Sequence, residues 1–391
     1  MKLLPIHPFP ARMAPEIVFK ELAGMASPKT ILDPMSGSGT VLRAAAELGH
    51  RAIGFDLDPL AVLMAKVWTT PFQTKRLISA AEKLVMSARN SDEMYLPWID
   101  DCEETAKYVS FWFCPKQEKP LRSLALALSR TSGVLADAMK IALSRIIVTK
   151  ERGASIARDT SHSRPHRVFF DNDYEVYDGF LQSVKRLAAR LSPDKLLGSA
   201  AVTAGDSRQL SNLGSGSVDV VITSPPYLNA IDYLRGHRLA LVWLGYTIGD
   251  LRALRSKSIG VESRAEKEMP KSVLKALLKR SGTLNELPVR QLGMVHHYAQ
   301  DVLSFMQELM RITKPKGQVL LVVGNSCLSG VSISNANINV AAAEMSGFRL
   351  VGRSERALPT SSRYLPMPAA NTAGSLANRM RTETLLSFCH V

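Results

Sequence analysis

Asp33-Pro34-Met35-Ser36-Gly37-Ser38-Gly39-Thr40 is the stretch on which the reading of this chain turns. Thr30-Ile31-Leu32 before it is a short β-rich run, and after it a helical pattern continues through Leu48 until Gly49 stops it. Arg51-Ala52-Ile53-Gly54-Phe55 then reads as a second strand that delivers Asp56 and Asp58 at its C-terminal end. The whole is a β–loop–α–β unit. Amides exposed by glycines at a helix N-terminus approach a charged ligand closely, and an acid ending the next strand can accept both hydroxyls of a ribose. The GxGxxG pattern of dinucleotide sites is absent, because position 42 is Leu. A carboxylate at Asp33 would repel a pyrophosphate but attract the ammonium of a methionine moiety. A tight βα turn without any ligand is the competing reading of the loop alone.

The same grammar resumes after a long gap. Ala201-Val202-Thr203-Ala204 leads to Gly205-Asp206, and Ser217 to Thr223 is an apolar strand that opens onto Ser224-Pro225-Pro226-Tyr227. His297 to Thr313 has helical periodicity, Lys314-Pro315-Lys316-Gly317 reads as a turn, and Gln318 to Val323 as another buried strand. Strands alternating with helices predict an α/β fold, doubly wound on a mainly parallel sheet with ligands at the strand C-termini. Residues 73–199 turn helical and basic around a polar loop, and residues 248–287 form a second Lys- and Arg-rich interruption without strand signal. Neither is low-complexity, so both read as insertions into a core made of residues 1–72 and 200–391.

Ser224-Pro225-Pro226-Tyr227 sits where a strand reaches the ligand edge. An exocyclic amine on a base is a poor nucleophile, since its lone pair is delocalised into the ring. A site that methylates it must turn that lone pair towards the methyl donor. The Ser224 hydroxyl and the Pro225 carbonyl can accept the two amino hydrogens, and consecutive prolines preorganise those acceptors. Tyr227 offers an aromatic face to a base extracted from the duplex. A plain proline turn with Tyr227 in the core is the alternative for the tetrapeptide taken by itself.

Together these residues resemble the amino-methylating DNA methyltransferases, the cytosine-N4 and adenine-N6 group, over roughly the first seventy residues and from about Ala201 onward. The resemblance implies a Rossmann-like core that uses S-adenosyl-L-methionine, with double-stranded DNA as partner. His7-Pro8-Phe9-Pro10-Ala11-Arg12 is similar to the motif that closes over the methionine end of the cofactor. Asp33, Pro34, Ser36, Gly37, Gly39 and Thr40 match the glycine loop, Asp56 with Asp58 beside it the ribose-binding acid, and Gly205-Asp206 the element that contacts adenine. Thr223 to Tyr227 is similar to the catalytic motif, whose Ser-first form is commoner in cytosine-N4 enzymes. Cytosine N4 is therefore the preferred target and adenine N6 the second. In many relatives with this style of loop the catalytic motif comes first; here the cofactor half leads, which makes the target-recognition region harder to place. A restriction-modification or related defence role, with a cognate endonuclease as partner, follows from the resemblance alone.

The formal charge of +14 and pI near 9.7 fit a polyanionic partner. The first choice for DNA contact is the stretch from Lys150 to Arg167, where Arg152, Arg158, His162, Ser163, Arg164 and His166 could reach phosphates and base edges. A solvated basic loop is the alternative. The block from Arg252 to Arg280 reads equally as a second clamp or a charged helical face, and Asn229, Asp232, Tyr233 and Arg235 as base-pocket lining or mere organisers of the next helix. No uncharged apolar run is long enough for a membrane span, and Pro5, Pro8 and Pro10 interrupt any signal-peptide core, so a cytoplasmic protein is expected. Cys102, Cys114, Cys327 and Cys389 lie too far apart for a metal knuckle; they are read as buried thiols, and no metal is expected. Methylation at cytosine carbon 5 would need a nucleophilic cysteine, usually after proline, and no Pro-Cys pair occurs. An RNA or protein-amide methyltransferase, or a non-catalytic DNA-binding protein on the same fold, are the rival readings. A decayed site would fail to bind the cofactor.

Overall fold

The computed structural model describes residues 3–9, 12–26, 28–149, 153–158, 166–167, 171–191, 196–228, 232–260, 269–358 and 382–391. Seven strands build the central sheet: β1 (Thr30–Asp33), β2 (Arg51–Asp56), β3 (Ser199–Ala204), β4 (Val218–Thr223), β5 (Thr313–Gly324), β6 (Phe348–Ala357) and β7 (Thr382–His390). Their spatial order is β6-β7-β5-β4-β1-β2-β3. Neighbours from β5 through β3 pair in parallel, whereas β7 runs antiparallel between β5 and β6. This is a Rossmann-like α/β core with a mainly parallel sheet. The chain lays β1, β2 and β3 outward in one direction and then returns to place β4 on the other side of β1, so the topological switch point lies between β1 and β4.

Strand alternation divides the core into two apolar layers. Ile31, Val220, Ile222, Leu320 and Val322 face one side, where they pack with Val18 and Leu22 of helix Pro15–Leu22 and with Val41 and Leu42 of helix Thr40–Glu47. Leu32, Val221, Val319 and Leu321 face the other, against Phe305 and Met306 of helix Val289–Ile312. At the edge away from the site, Asp219 fastens the central strands: its carboxylate accepts from the Thr30 amide at 2.9 Å and from Lys314 Nζ at 2.8 Å.

Among the described residues between β2 and β3, five helices lie between Thr74 and Ile147 and a sixth at Val176–Ala188. Their apolar faces join Met64 and Trp68 of helix Pro59–Trp68 and Leu239 and Trp243 beyond Tyr227 in one cluster, so these helices pack directly on the helix that follows β2. The second interruption is divided between layers. Ile248 and Leu251 pack with the helical insertion, while Leu277, Leu278 and Leu287 join the layer beneath β4 and β5.

Three details differ from expectation. Lys314 to Gly317 lies inside β5 as an irregularity rather than before it as a turn: Lys316 has φ +63°, and the pairing with β4 jumps from Val218 opposite Thr313 to Val220 opposite Gln318. The C-terminal pair β6 and β7 completes the sheet without any anticipating signal. The four cysteines are free but half-buried rather than fully buried. Among the described residues no helix is long and apolar enough to cross a membrane.

Candidate cofactor and catalytic cleft

The C-terminal ends of β1, β2, β3 and β4 carry Asp33, Asp56, Gly205 and Ser224 to one edge of the sheet. A cleft of about 790 Å³ opens there, its lining shared by the glycine loop and by Ser224, Pro225, Pro226 and Tyr227. The two motifs touch at the switch point, where the Thr223 hydroxyl donates to Asp33 Oδ1 at 2.7 Å. Asp33 is 3% exposed. Burial pushes its carboxyl up to about 7, against the hydrogen bonds from Thr223 and the Met35 amide.

The loop owes its shape to its glycines. Gly37 and Gly39 have φ of +48° and +87°, and a Cβ on Gly39 would stand 2.8 Å from Ala65 Cα, so only glycine lets helix Thr40–Glu47 start this close to helix Pro59–Trp68. The Gly37 amide donates to Asp56 Oδ2 at 2.8 Å and the Asp58 amide to Asp56 Oδ1 at 2.9 Å. Burial, and then the neighbouring Asp58, push Asp56 up to about 6. The hydroxyls of Ser36, Ser38 and Thr40 are buried around the loop with no hydrogen-bond partner among the described residues.

Ser224 and Tyr227 are held from β5. Ser224 Oγ donates to the Val322 carbonyl at 3.0 Å and lies 3.4 Å from the Tyr227 hydroxyl. Burial raises the Tyr227 pKa, so the phenol stays protonated. Beyond the motif, Ser326 Oγ donates to the Leu228 carbonyl at 2.5 Å and in turn accepts from Asn335 Nδ2 at 2.8 Å, which pins the backbone that follows the tetrapeptide.

The structure brings Asp33, Pro34, Ser36, Gly37, Thr40, Asp56, Asp58, Ser224, Pro225, Pro226, Tyr227 and Arg235 to the cleft wall. Gly39 stands just behind it as the N-cap of helix Thr40–Glu47. Two expectations need correction. His7 and Pro8 are not on the wall: the His7 ring is buried, bonded through Nε2 to Ser144 Oγ at 2.9 Å, and Phe9, Arg12 and Met13 take the wall position instead. Asp206 is not on the wall either. Arg208 takes both its carboxylate oxygens, with Nη2 at 2.7 Å and Nε at 3.0 Å, and leaves Gly205 and Ser207 to line the cleft.

Asp58 has a different task from ligand contact alone: Oδ1 caps helix Pro59–Trp68 by accepting from the Leu60 amide, and Oδ2 accepts from His237 Nδ1 at 2.5 Å. Asp232 caps helix Tyr233–Leu241 through the Arg235 amide and pairs with Arg255 at 2.6 Å. Arg152, His162, Ser163 and Arg164, like Asn229, lie outside the described residues. Arg158 and His166 are described only through their backbone, which pairs in a two-stranded ribbon; the roles read for their side chains fall outside the description. Arg290 and Met294, one turn apart on helix Val289–Ile312, also line the cleft. Their i,i+4 spacing marks a shared face, but no sequence signal says which face meets the site.

Comparison with known proteins agrees with this geometry. Over 382 residues the chain is 26% identical to the type II methyltransferase M.MvaI of Kocuria varians, covering 84% of this chain and 78% of that one. It is 23% identical to the type II methyltransferase M.BsoBI of Geobacillus stearothermophilus over 83% of this chain and 74% of that one. Over more than four-fifths of its length the chain is thus similar to type II methyltransferases. No family model matches it. Among solved structures, an S-adenosylmethionine-dependent methyltransferase from Methanosarcina mazei aligns over 97% of this chain and 99% of that one, with 9% identity and a TM-score of 0.34.

The residues present fit S-adenosylmethionine, the cofactor that the resemblance implies. A buried and a half-buried carboxylate whose ionisation burial opposes, a left-handed glycine turn at a helix N-terminus and three hydroxyls without a partner among the described residues suit a ligand with a cationic end and a diol.

Proposed function

We propose that this protein is a DNA methyltransferase that methylates the exocyclic amine of a base taken out of the duplex, cytosine N4 in a specific sequence, within a restriction-modification or related defence system. The observation that carries the reading is the Ser224 hydroxyl. Its proton is committed to the Val322 carbonyl, which leaves oxygen lone-pair density to accept a hydrogen from an amine lying in the cleft. The Pro225 carbonyl is the second acceptor, and together they turn the amine's own lone pair towards the cofactor side. Tyr227, half-buried and tied to Ser224, is the face on which the base stacks. The cofactor supplies an electrophilic methyl group. On its side of the cleft Asp33 and the loop amides hold the methionine portion, Asp56 holds the ribose, and the adenine end lies against Gly205 and Ser207.

Support for DNA, beyond the family, comes from the charge of +14 and from Arg235, Arg255 and Arg290 on the wall beside the tetrapeptide. The test is transfer of labelled methyl groups to unmethylated genomic DNA, followed by mass spectrometry of the nucleosides. N4-methylcytosine is expected. N6-methyladenine would overturn the base assignment, and label confined to RNA or protein would overturn the substrate.

A further inference from the structure

The N-terminal segment reaches the cleft as a strap tied at its far end to the helical insertion. The Pro5 carbonyl accepts from Arg190 Nη1 at 2.6 Å, the Ile6 carbonyl from Arg145, and His7 bonds Ser144. Its tip, Phe9, lies over the glycine loop, where a Cβ on Gly37 would be 3.0 Å from Phe9 Cε1. The Phe9 ring stacks on Tyr233, with centroids 5.1 Å apart and planes 8° from parallel, and tilts against His237 at 5.8 Å. His237 in turn donates to Asp58 Oδ2, and neither side chain is more than 12% exposed. Since the Asp58 amide and the Gly37 amide both donate to Asp56, these contacts close a ring around the proposed ribose acid.

We propose that His237 is a positioning residue that latches the N-terminal strap over the cofactor side of the cleft, acting through Asp58 and the Phe9 ring. The inference rests on the reading that this side of the cleft takes S-adenosylmethionine. The charge of the imidazole matters because Asp56 and Asp58 stand side by side at the end of β2. Burial alone would favour the neutral ring, but those two carboxylates outweigh it and hold the His237 pKa above its ordinary value. Among the described residues of the strap His7 faces it, and burial lowers the His7 pKa to about 3, so that ring stays neutral. Phe9 and Tyr233 bring apolar surface. A charged His237 thus compensates one of two adjacent acids and gives the lid ring a second neighbour.

The test is the rate at which bound S-adenosylmethionine is displaced by excess S-adenosylhomocysteine in stopped flow, for the wild type, His237→Asn, Phe9→Ala and the double variant. Each single change should speed dissociation roughly three- to tenfold, the worth of an aromatic contact. The double variant should be no faster than the faster single one, because both break the same latch. Additive effects, or no effect of His237→Asn, would overturn the proposal. Asp58→Asn keeps an acceptor for the Leu60 amide and replaces the charged acceptor facing His237 with a neutral amide NH2. It should speed dissociation likewise and lower the imidazole pKa seen by NMR titration; an unmoved imidazole pKa overturns the latch. This variant and Phe9→Ala carry the test if His237→Asn fails to fold. A wild type that binds no S-adenosylmethionine would overturn the underlying reading, and the latch with it.

Discussion

Asp33→Asn tests the assignment of the buried carboxylate to the cationic end of the cofactor. Asn retains an Oδ1 that can accept from Thr223 and from the Met35 amide, so the local geometry is kept and the charge is lost. With its carboxyl at about 7 instead of 3.8, ionising Asp33 in the cofactor-free protein costs roughly 4 kcal/mol at about 1.4 kcal/mol per pH unit. A bound cation supplies the compensation that burial withholds. At pH 6 about a tenth of the molecules carry the carboxylate, and at pH 8 about nine-tenths, so apparent affinity should rise roughly tenfold across that interval. Asp56, at about 6, steepens the fall below pH 6.

Isothermal titration calorimetry from pH 6 to pH 8 at constant ionic strength reads this directly. The Asn variant should bind weakly with little slope, and its deficit relative to wild type should shrink towards pH 6. Stability carries the opposite sign. A carboxyl whose folded pKa is raised binds its proton more tightly in the native state, so its contribution is complete below the unfolded value of 3.8 and is lost as pH rises through about 7. Without cofactor, Asp33→Asn should therefore melt higher than wild type at pH 8, and by less at pH 5. A flat wild-type profile, or the same slope in the Asn variant, would refute the assignment.

Three further changes separate the parts of the cleft. Ser224→Ala should leave the cofactor Kd within about twofold and lower kcat by about 10²–10³, the worth of one preorganised hydrogen-bonding group; a matching loss of cofactor affinity would contradict its place on the base side. Asp56→Asn should do the reverse, weakening cofactor binding about ten- to a hundredfold through lost charge-assisted bonds, with unchanged calorimetric affinity as the contrary result. Gly39→Ala combines a left-handed φ of +87° with a 2.8 Å approach to Ala65 Cα. It should cost about 1–3 kcal/mol and lower Tm by several degrees in differential scanning calorimetry.

The gathering of strand-end residues at one cleft was legible because it is local. Asp33, Gly37, Gly39 and Asp56 follow one another across a single β–loop–α–β unit, and Ser224 to Tyr227 are consecutive. Residues that reach the cleft by packing were not legible. Arg290 and Met294 come from a helix whose buried stripe is plain but whose other face carries no label. Asp206 shows the converse: its position after β3 suggested a ligand, but Arg208 two residues later claims it, an interaction that depends on Arg208 also reaching Asp301 on helix Val289–Ile312. The strands β6 and β7 escaped because Phe348–Ala357 is exposed along much of its length and lacks the apolar run that marked β4.

His7 joins these two kinds of residue and explains why the helical insertion adjoins the cofactor half. Read in sequence it belongs to a motif that covers the cofactor; in the fold its ring is spent on Ser144, while Arg145 and Arg190 hold the carbonyls beside it. Those three partners lie on helix Val134–Ile147 and just after helix Val176–Ala188, which pack in one apolar cluster with helix Pro59–Trp68. The insertion therefore fixes the strap at three points, and the same helix Pro59–Trp68 begins at Asp58, where the tip of the strap is held through His237. Both ends of the lid thus refer to one helix.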